Sequence, residues 1–153
     1  MPESTPVATP VFQITVTCSI PTPMGQRDGG TAVMIPITGG TVVGEKLQGE
    51  VVPGGADWAL IKDDGRICVK AHYAIKTADG TLIEVFNEGV NTIDRVSPAP
   101  LAHMLTTPRF QAPDGEHAWL NSGVFVGTLL GEQPDAAGES MTVQIGIFQM
   151  GWQ

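Results

Sequence analysis

The sequence predicts an all-β protein, a single antiparallel β-barrel of about eight to ten strands. Apolar and polar residues alternate in several runs, which is the pattern of half-buried strands. Two Asp-Gly pairs separate neighbouring runs, and this pair favours the tight turns of β-hairpins. The 19 glycines and 12 prolines recur between short β-like runs instead of clustering, as in a barrel or a sandwich with many turns.

The first predicted strand covers residues 11–18, where apolar and polar side chains alternate strictly. Residues 1–10 are polar and rich in Pro, Ser and Thr, without the basic and apolar regions of a secretory signal. We therefore expect a disordered tail over residues 1–10 and a single β-barrel domain over residues 11–153.

The clearest strand covers residues 66–76. One of its faces carries Ile67, Val69, Ala71, Tyr73 and Ile75. Asp64-Gly65 precedes this strand and Asp79-Gly80 follows it, so hairpin turns are expected at both ends. Two such turns around one alternating strand predict an antiparallel meander.

Several predicted strands are apolar on both faces, which favours a barrel over a sandwich. These strands carry Leu82 and Phe86 opposite Ile83 and Val85, and Trp119 and Phe125 opposite Leu120, Val124 and Val126. A strand that is apolar on both faces is covered twice, and the outer cover is expected to be a partner subunit. A homodimer or higher homo-oligomer is therefore predicted, and light scattering that gives a monomer mass would contradict it. A barrel of about eight strands has an interior just large enough for one small ligand.

The charge and the apolar runs exclude several partners. Sixteen acidic residues against eight basic ones give a net charge of -8, which repels nucleic acids and anionic membranes. The apolar runs are shorter than the roughly 18–20 residues that a membrane helix needs. We therefore expect a cytoplasmic protein that binds neither nucleic acid nor a membrane.

No cofactor or metal is expected. Cys18 and Cys68 lie in strand-like runs, so they are interpreted as buried thiols. The three histidines form no local metal-binding motif, and they are His72, His103 and His117. The glycine pairs at 39–40 and 54–55 do not open a helix, so they are interpreted as turns and not as phosphate-binding loops.

Four polar residues within strand patterns are candidates for a small-molecule site. They are Asp57, Tyr73, Arg109 and Asn121. If their side chains point into the barrel, they place a carboxylate, a phenol, a guanidinium and an amide among apolar walls, which is the composition of a small-molecule site. Burial would raise the pKa of Asp57 and a nearby Arg109 would lower it, so a proton-transfer role is physically reasonable. The structural alternative is an ion pair between Asp57 and Arg109, or Asp57 as the cap of a turn.

Aromatic residues beside these candidates are expected to line the pocket. They are Trp58, Trp119 and Phe125. The alternative is that the aromatic residues, and Tyr73 with them, belong to the core.

The chain resembles the bacterial and fungal domain-of-unknown-function family 3237. The resemblance rests on residues 35–41, on Pro53-Gly54-Gly55-Ala56-Asp57-Trp58, on Thr107-Pro108-Arg109-Phe110 and on Ala118-Trp119-Leu120-Asn121, in an order that runs over residues 11–150. It implies a β-barrel of the lipocalin or allene-oxide-cyclase kind, often an oligomer, and implies little about a reaction. Gln111 and Ser122 depart from the family pattern, which often has an acidic residue and an arginine there.

These features lead to two functional hypotheses. The first is a cofactor-independent lyase, isomerase or cyclase that acts on a hydrophobic aromatic or cyclic carbonyl metabolite. In it Asp57 is the acid or base, and three residues orient the substrate and stabilise developing negative charge, namely Arg109, Tyr73 and Asn121. The second is a carrier that binds such a ligand without chemistry.

Overall fold

The computed structural model describes residues 4–91, 103–131 and 135–153. Within these residues the chain forms ten strands and one short helix. In chain order they are β1 (Pro6–Ser19), β2 (Thr22–Arg27), β3 (Gly30–Val43), β4 (Gly49–Lys62), β5 (Ile67–Thr77), β6 (Leu82–Val90), β7 (His103–Thr106), β8 (Arg109–Gln111), α1 (Trp119–Ser122), β9 (Phe125–Gly131) and β10 (Ser140–Trp152).

The strands form one antiparallel sheet that curls into a barrel. Nine strands follow the order β7-β9-β10-β1-β3-β4-β5-β6-β8, and β2 pairs with β3 beside this path. The barrel closes at β6, which contacts both ends of this path. Strand β8 pairs with β6. Thr107, which directly follows β7, donates its N–H to the Glu88 carbonyl of β6 at 2.8 Å. The prediction of an all-β antiparallel barrel of about eight to ten strands is confirmed.

Strand β1 begins earlier than the sequence predicts. Pro6 pairs with Trp152 and Pro10 with Phe148, so residues 6–10 belong to the sheet where a disordered tail was expected. Most of these residues are exposed, so their sequence does not need the apolar alternation from which a half-buried strand is recognised. Pairing with β10 holds them in the sheet. Residues 1–3 of the expected tail lie outside the described residues.

Both glycine pairs lie inside strands, 39–40 in β3 and 54–55 in β4, although the sequence pattern suggested turns. In the pairing of β4 with β5, Val52 lies opposite Ala74 and Ala56 opposite His72. The three residues Pro53-Gly54-Gly55 therefore face one residue, Tyr73, which is a β-bulge. Gly54 has a φ of 112°, a conformation that favours glycine, and this bulge bends β4 around the barrel.

The inward side chains divide the barrel into a filled end and an open end. At the filled end, large side chains such as Ile14, Ile75, Ile83 and Ile147 are at most 1% exposed. The aromatic rings of Phe12, Phe110 and Phe125 meet edge to face there, with centroids 5.6 and 5.1 Å apart. Towards the other end of the same strands, the inward residues surround a cavity.

One predicted strand is partly helical. Residues 117–130 have a β-like pattern, but Trp119–Ser122 form the single turn α1 before β9 begins at Phe125. Side chains in a helical turn do not alternate between two faces, so Trp119 and Asn121 do not share a strand face with Phe125. No helix in the described residues is long and apolar enough to cross a membrane.

Candidate functional site

A cavity of about 390 Å³ occupies the open end of the barrel. Its volume is in the range of small-molecule pockets. Its walls come from β1, β3, β4, β5, β6, β7, β9 and β10. The apolar lining residues are Val16, Cys18, Ile35, Ile37, Ile67, Val69, Ala71, Met104, Leu129, Gly131, Met141, Val143 and Ile145. Among the described lining residues, three carry polar side chains, and these are Asp57, Tyr73 and Asn87.

Strand pairing brings the three polar residues to one wall. Asp57 on β4 lies opposite Ala71 on β5, and Ala71 lies opposite Asn87 on β6. Tyr73 follows Ala71 by two residues, so it points to the same face of β5. The wall therefore presents a carboxyl group, a phenol and an amide around one small methyl side chain.

Asp57 replaces part of the backbone ladder. The pairing of β4 with β5 passes from Asp57 and Ala71 directly to Leu60 and Cys68. In this gap the Lys70 N–H donates to Asp57 Oδ1 at 2.8 Å. The contact fixes the carboxyl group at the cavity wall and leaves its other oxygen available to a ligand.

Burial is the dominant influence on the Asp57 carboxyl group. Desolvation by the apolar walls raises the pKa of Asp57 to about 6, although the hydrogen bond from Lys70 acts in the opposite direction. Among the described residues, no lysine or arginine lines the cavity to offset the desolvation. Asp57 is therefore poised to change protonation state near neutral pH, as a general base or acid requires.

Tyr73 presents a hydroxyl group without a partner. The residue is 4% exposed, and its Oη is buried with no hydrogen-bond partner in the described part of the chain. Burial, with a smaller effect of Cys18, raises the pKa of Tyr73 above its usual value. The phenol thus stays protonated and can donate a hydrogen bond to a ligand.

The Cys18 thiol is a poor nucleophile in this environment. Burial, and secondly the charge of Asp57, raises the pKa of Cys18 to about 11. Because the thiolate is the reactive form, the side chain acts at neutral pH as part of the apolar wall.

The other predicted polar site residues lie outside the cavity lining. Arg109 is exposed on β8, with its guanidinium carbon 5.2 Å from the centre of the Phe86 ring. Asn121 holds the neighbouring backbone, accepting from the Ala112 N–H at 2.7 Å and donating to the Ala112 carbonyl at 2.8 Å. The structural alternative of an ion pair between Asp57 and Arg109 is therefore not formed.

The three predicted aromatic residues also lie elsewhere. Trp58 is 49% exposed, because it neighbours Asp57 on one strand and so faces the opposite way. Trp119 and Phe125 do come together, with ring centroids 5.9 Å apart, but they pack at the filled end.

Asn87 and Ala71 are the site residues that the sequence reasoning missed. Both lie on inward positions of strands whose alternation is visible in the sequence. The missing information was which inward positions are neighbours across strands, since only the register places Asn87 and Asp57 on either side of Ala71.

A second polar cluster lies outside the cavity lining. Asp79, Glu116 and His117 offer possible ligand atoms within 4.8 Å of one another. His117 Nε2 lies 3.3 Å from Asp79 Oδ2, and Asp79 Oδ1 accepts from the Thr81 N–H at 3.2 Å. These contacts join the β5–β6 turn to the segment before α1, while the buried His117 Nδ1 has no hydrogen-bond partner in the described part of the chain.

Fold and cavity together define a class, the small antiparallel β-barrel with an apolar pocket and a half-buried carboxyl group in its wall. The chain belongs to the family described as protein of unknown function (DUF3237), whose sequence model matches residues 6–150. The resemblance noted from the motifs is thereby confirmed.

Named relatives extend over most of the chain. A UPF0311 protein of Clostridium acetobutylicum is 35% identical over 127 residues, which are 76% of this chain and 80% of that protein. A β-barrel-like protein of Acinetobacter baumannii has the same fold, with a TM-score of 0.82, 23% identity, and coverage of 96% of this chain and 97% of its own. A Penicillium herquei protein described as an enzyme gives a TM-score of 0.72 at 23% identity, over 99% of this chain and 98% of its own.

Proposed function

We propose that the protein is an enzyme that moves a proton on a small, largely apolar carbonyl compound held in the barrel cavity. The observation that carries the proposal is the carboxyl group of Asp57, whose pKa burial raises to about 6, in a cavity that also holds an unpartnered phenol. Proton abstraction beside a carbonyl group is the first step of many isomerase, lyase and cyclase reactions, and a base together with a hydrogen-bond donor to the carbonyl oxygen promotes it.

Asp57 is the proposed base. Its carboxylate takes a proton from the carbon next to the substrate carbonyl. The electron pair of the C–H bond forms a double bond to the carbonyl carbon, and the π pair of the C=O bond moves onto the oxygen, which gives an enolate. The protonated Asp57 then returns the proton to another atom of the substrate, which completes an isomerisation without a cofactor. A base with a pKa near the working pH serves both steps.

Tyr73 is proposed to stabilise the oxygen that gains charge. Its buried hydroxyl group donates a hydrogen bond, and a donor among apolar side chains acts more strongly on a developing oxyanion than it would in water. The sequence analysis gave this task to Arg109 as well, but Arg109 is exposed on β8 and is not among the described residues that line the cavity.

The description of the Penicillium herquei protein as an enzyme is consistent with catalysis in this fold. The alternative is a carrier that binds the same class of ligand without chemistry, and the predominance of apolar side chains on the cavity wall supports it. The two functions differ in one observable property, the exchange of substrate protons with the solvent.

The test is proton exchange on 2-tetralone, an apolar cyclic ketone, followed by NMR in D₂O. We expect wild-type protein to accelerate exchange of the protons next to the carbonyl, with a rate that rises with pH and levels off above about pH 6. Asp57→Asn should reduce the acceleration at least ~10²-fold, and Tyr73→Phe should reduce it less. The matched control is Asp114→Asn, which changes an exposed aspartate.

Three outcomes would count against parts of this proposal. Binding of 2-tetralone without exchange would favour the carrier. Full exchange in a folded Asp57→Asn variant would remove the role of Asp57. Loss of exchange in Arg109→Ala would restore the role that the sequence assigned to Arg109.

A further inference from the structure

We infer that Asn87 selects ligands that carry a hydrogen-bond donor, a hydroxyl or amine group, on the side of the ring opposite the reacting carbonyl. The inference rests on the proposed function, which places the carbonyl group of the ligand at Asp57 and Tyr73. It adds a substrate class, the hydroxylated or aminated cyclic ketones, and a residue that recognises it.

The carbonyl oxygen of Asn87 is the first observation. The residue is 1% exposed and lines the cavity, and its Oδ1 has no hydrogen-bond partner in the described part of the chain. A buried amide oxygen without a hydrogen-bond partner costs free energy of folding. Such an atom in a cavity wall therefore indicates that a bound ligand supplies the missing donor.

The other two asparagines show what a structural role looks like in this fold. Asn91 Oδ1 accepts from the Ile67 N–H, and Asn121 Oδ1 accepts from the Ala112 N–H. Both carbonyl oxygens therefore hold a backbone segment in place. The Asn87 oxygen lacks such a contact among the described residues, so holding a segment in this way does not account for it.

The geometry of the wall sets the distance between the two polar ends of the ligand. Asp57, Ala71 and Asn87 lie directly opposite one another on three neighbouring strands. Two strand spacings separate Asp57 from Asn87, roughly 10 Å between their Cα atoms. The methyl group of Ala71 between them leaves room for a ring to lie across β5.

The chemistry of each end then defines the ligand. The unpartnered atom of Asn87 is its amide oxygen, which accepts and does not donate, so the group that binds this oxygen carries a proton on oxygen or nitrogen. Apolar side chains surround both ends, so the skeleton between them is a hydrocarbon ring or a fused pair of rings. A ring ketone with a hydroxyl group on its far side meets all of these requirements.

The experiment compares 2-tetralone with 6-hydroxy-2-tetralone, which differ by one hydroxyl group. Dissociation constants are measured by calorimetry for the wild-type chain, for Asn87→Leu and for Ala71→Leu. We expect the wild-type chain to bind the hydroxylated compound at least about tenfold more tightly, because its hydroxyl group donates a hydrogen bond to the Asn87 oxygen. Asn87→Leu should lose this preference, since leucine has a similar size and no acceptor.

Ala71→Leu tests the placement of the ring without touching a polar group. The added carbons fill the space between Asp57 and Asn87, so affinity for both compounds should fall at least about tenfold. Ala74→Leu, on the opposite face of the same strand, is the matched control and should leave both affinities unchanged. Circular dichroism checks that each variant is folded.

Equal affinity of the wild-type chain for the two compounds would overturn the inference, and this comparison needs no variant. A preference that persists in folded Asn87→Leu would overturn it as well. If the preference is present but neither compound exchanges protons, the inference about Asn87 holds and the proposed catalysis fails. If the protein catalyses proton exchange but binds the two compounds equally tightly, the proposed catalysis holds and the inference about Asn87 fails.

Discussion

At the scale of single residues, Gly55 determines where Tyr73 lies. A Cβ atom on Gly55 would lie 2.5 Å from the Tyr73 Cβ and 2.7 Å from the His72 carbonyl oxygen, distances that a folded chain does not tolerate. The bulge at Pro53-Gly54-Gly55 thus lets β5 approach β4 closely, with Tyr73 directed into the cavity.

Gly55→Ala should therefore destabilise the fold by about 1–3 kcal/mol, as overpacking does, and displace Tyr73 from the cavity wall. Urea unfolding monitored by circular dichroism measures the loss. Gly151→Ala is the matched control, because a Cβ there meets no atom within 4 Å, and its unfolding midpoint should stay close to that of the wild-type chain. Equal midpoints for all three proteins would contradict this role of Gly55.

Two of the predicted site residues, Asp57 and Tyr73, line the cavity and the others do not, and strand geometry explains the difference. Asp57 and Tyr73 lie in strands long enough for alternation to identify the inward face. Trp58 could not share that face, since neighbouring residues on a strand point in opposite directions. Arg109 lies on the three-residue strand β8, which is too short for its own pattern to define a face.

At the scale of elements, the β5–β6 hairpin is fastened through Asp79. The Asp79 carboxylate accepts from the Thr77 hydroxyl group and from the Thr81 N–H, and it meets His117 before α1. The Thr77 hydroxyl group, followed by the Thr81 backbone, holds the pKa of Asp79 well below its usual range. The turn that the Asp-Gly pair predicted is thus also a link to a distant part of the chain.

Asp79→Ala should lower the free energy of unfolding at pH 7. Because the folded-state pKa is depressed, the stabilisation is present above the unfolded value of 3.8 and is lost as the pH falls towards the folded value. The stability difference between wild-type and variant chains should therefore shrink below about pH 4. Chemical denaturation at several pH values measures it, with the exposed Asp114→Ala as control. A difference that does not change with pH would contradict the charged contact.

The elements also show where sequence patterns fail. The hairpin at Asp79-Gly80 was predictable because turn chemistry is local. The bulge at Pro53-Gly54-Gly55 was interpreted as a turn, since glycine and proline break a pattern in either case. Trp119–Ser122 was interpreted as a strand because four residues are too few to reveal a helical period.

At the scale of the whole molecule, the barrel follows from the alternation of its strands, but the division of its interior does not. Inward positions were predictable one strand at a time. Which of them pack against aromatic rings at the filled end, and which surround the cavity, depends on the register of strands far apart in sequence. The homo-oligomer stays a prediction, and exposed apolar side chains such as Trp58, Leu82 and Leu105 are the surface on which it depends.

The central claim is that the cavity holds Asp57 with a raised pKa. Carbon-detected NMR titration of the aspartate carboxyl groups tests it most directly, with Asp57→Asn to assign the signal. The account predicts that the Asp57 signal titrates with a midpoint of about pH 6 and disappears in the variant. A midpoint near 3.8, the value of an aspartate in water, would contradict both the desolvation of Asp57 and the proposed base.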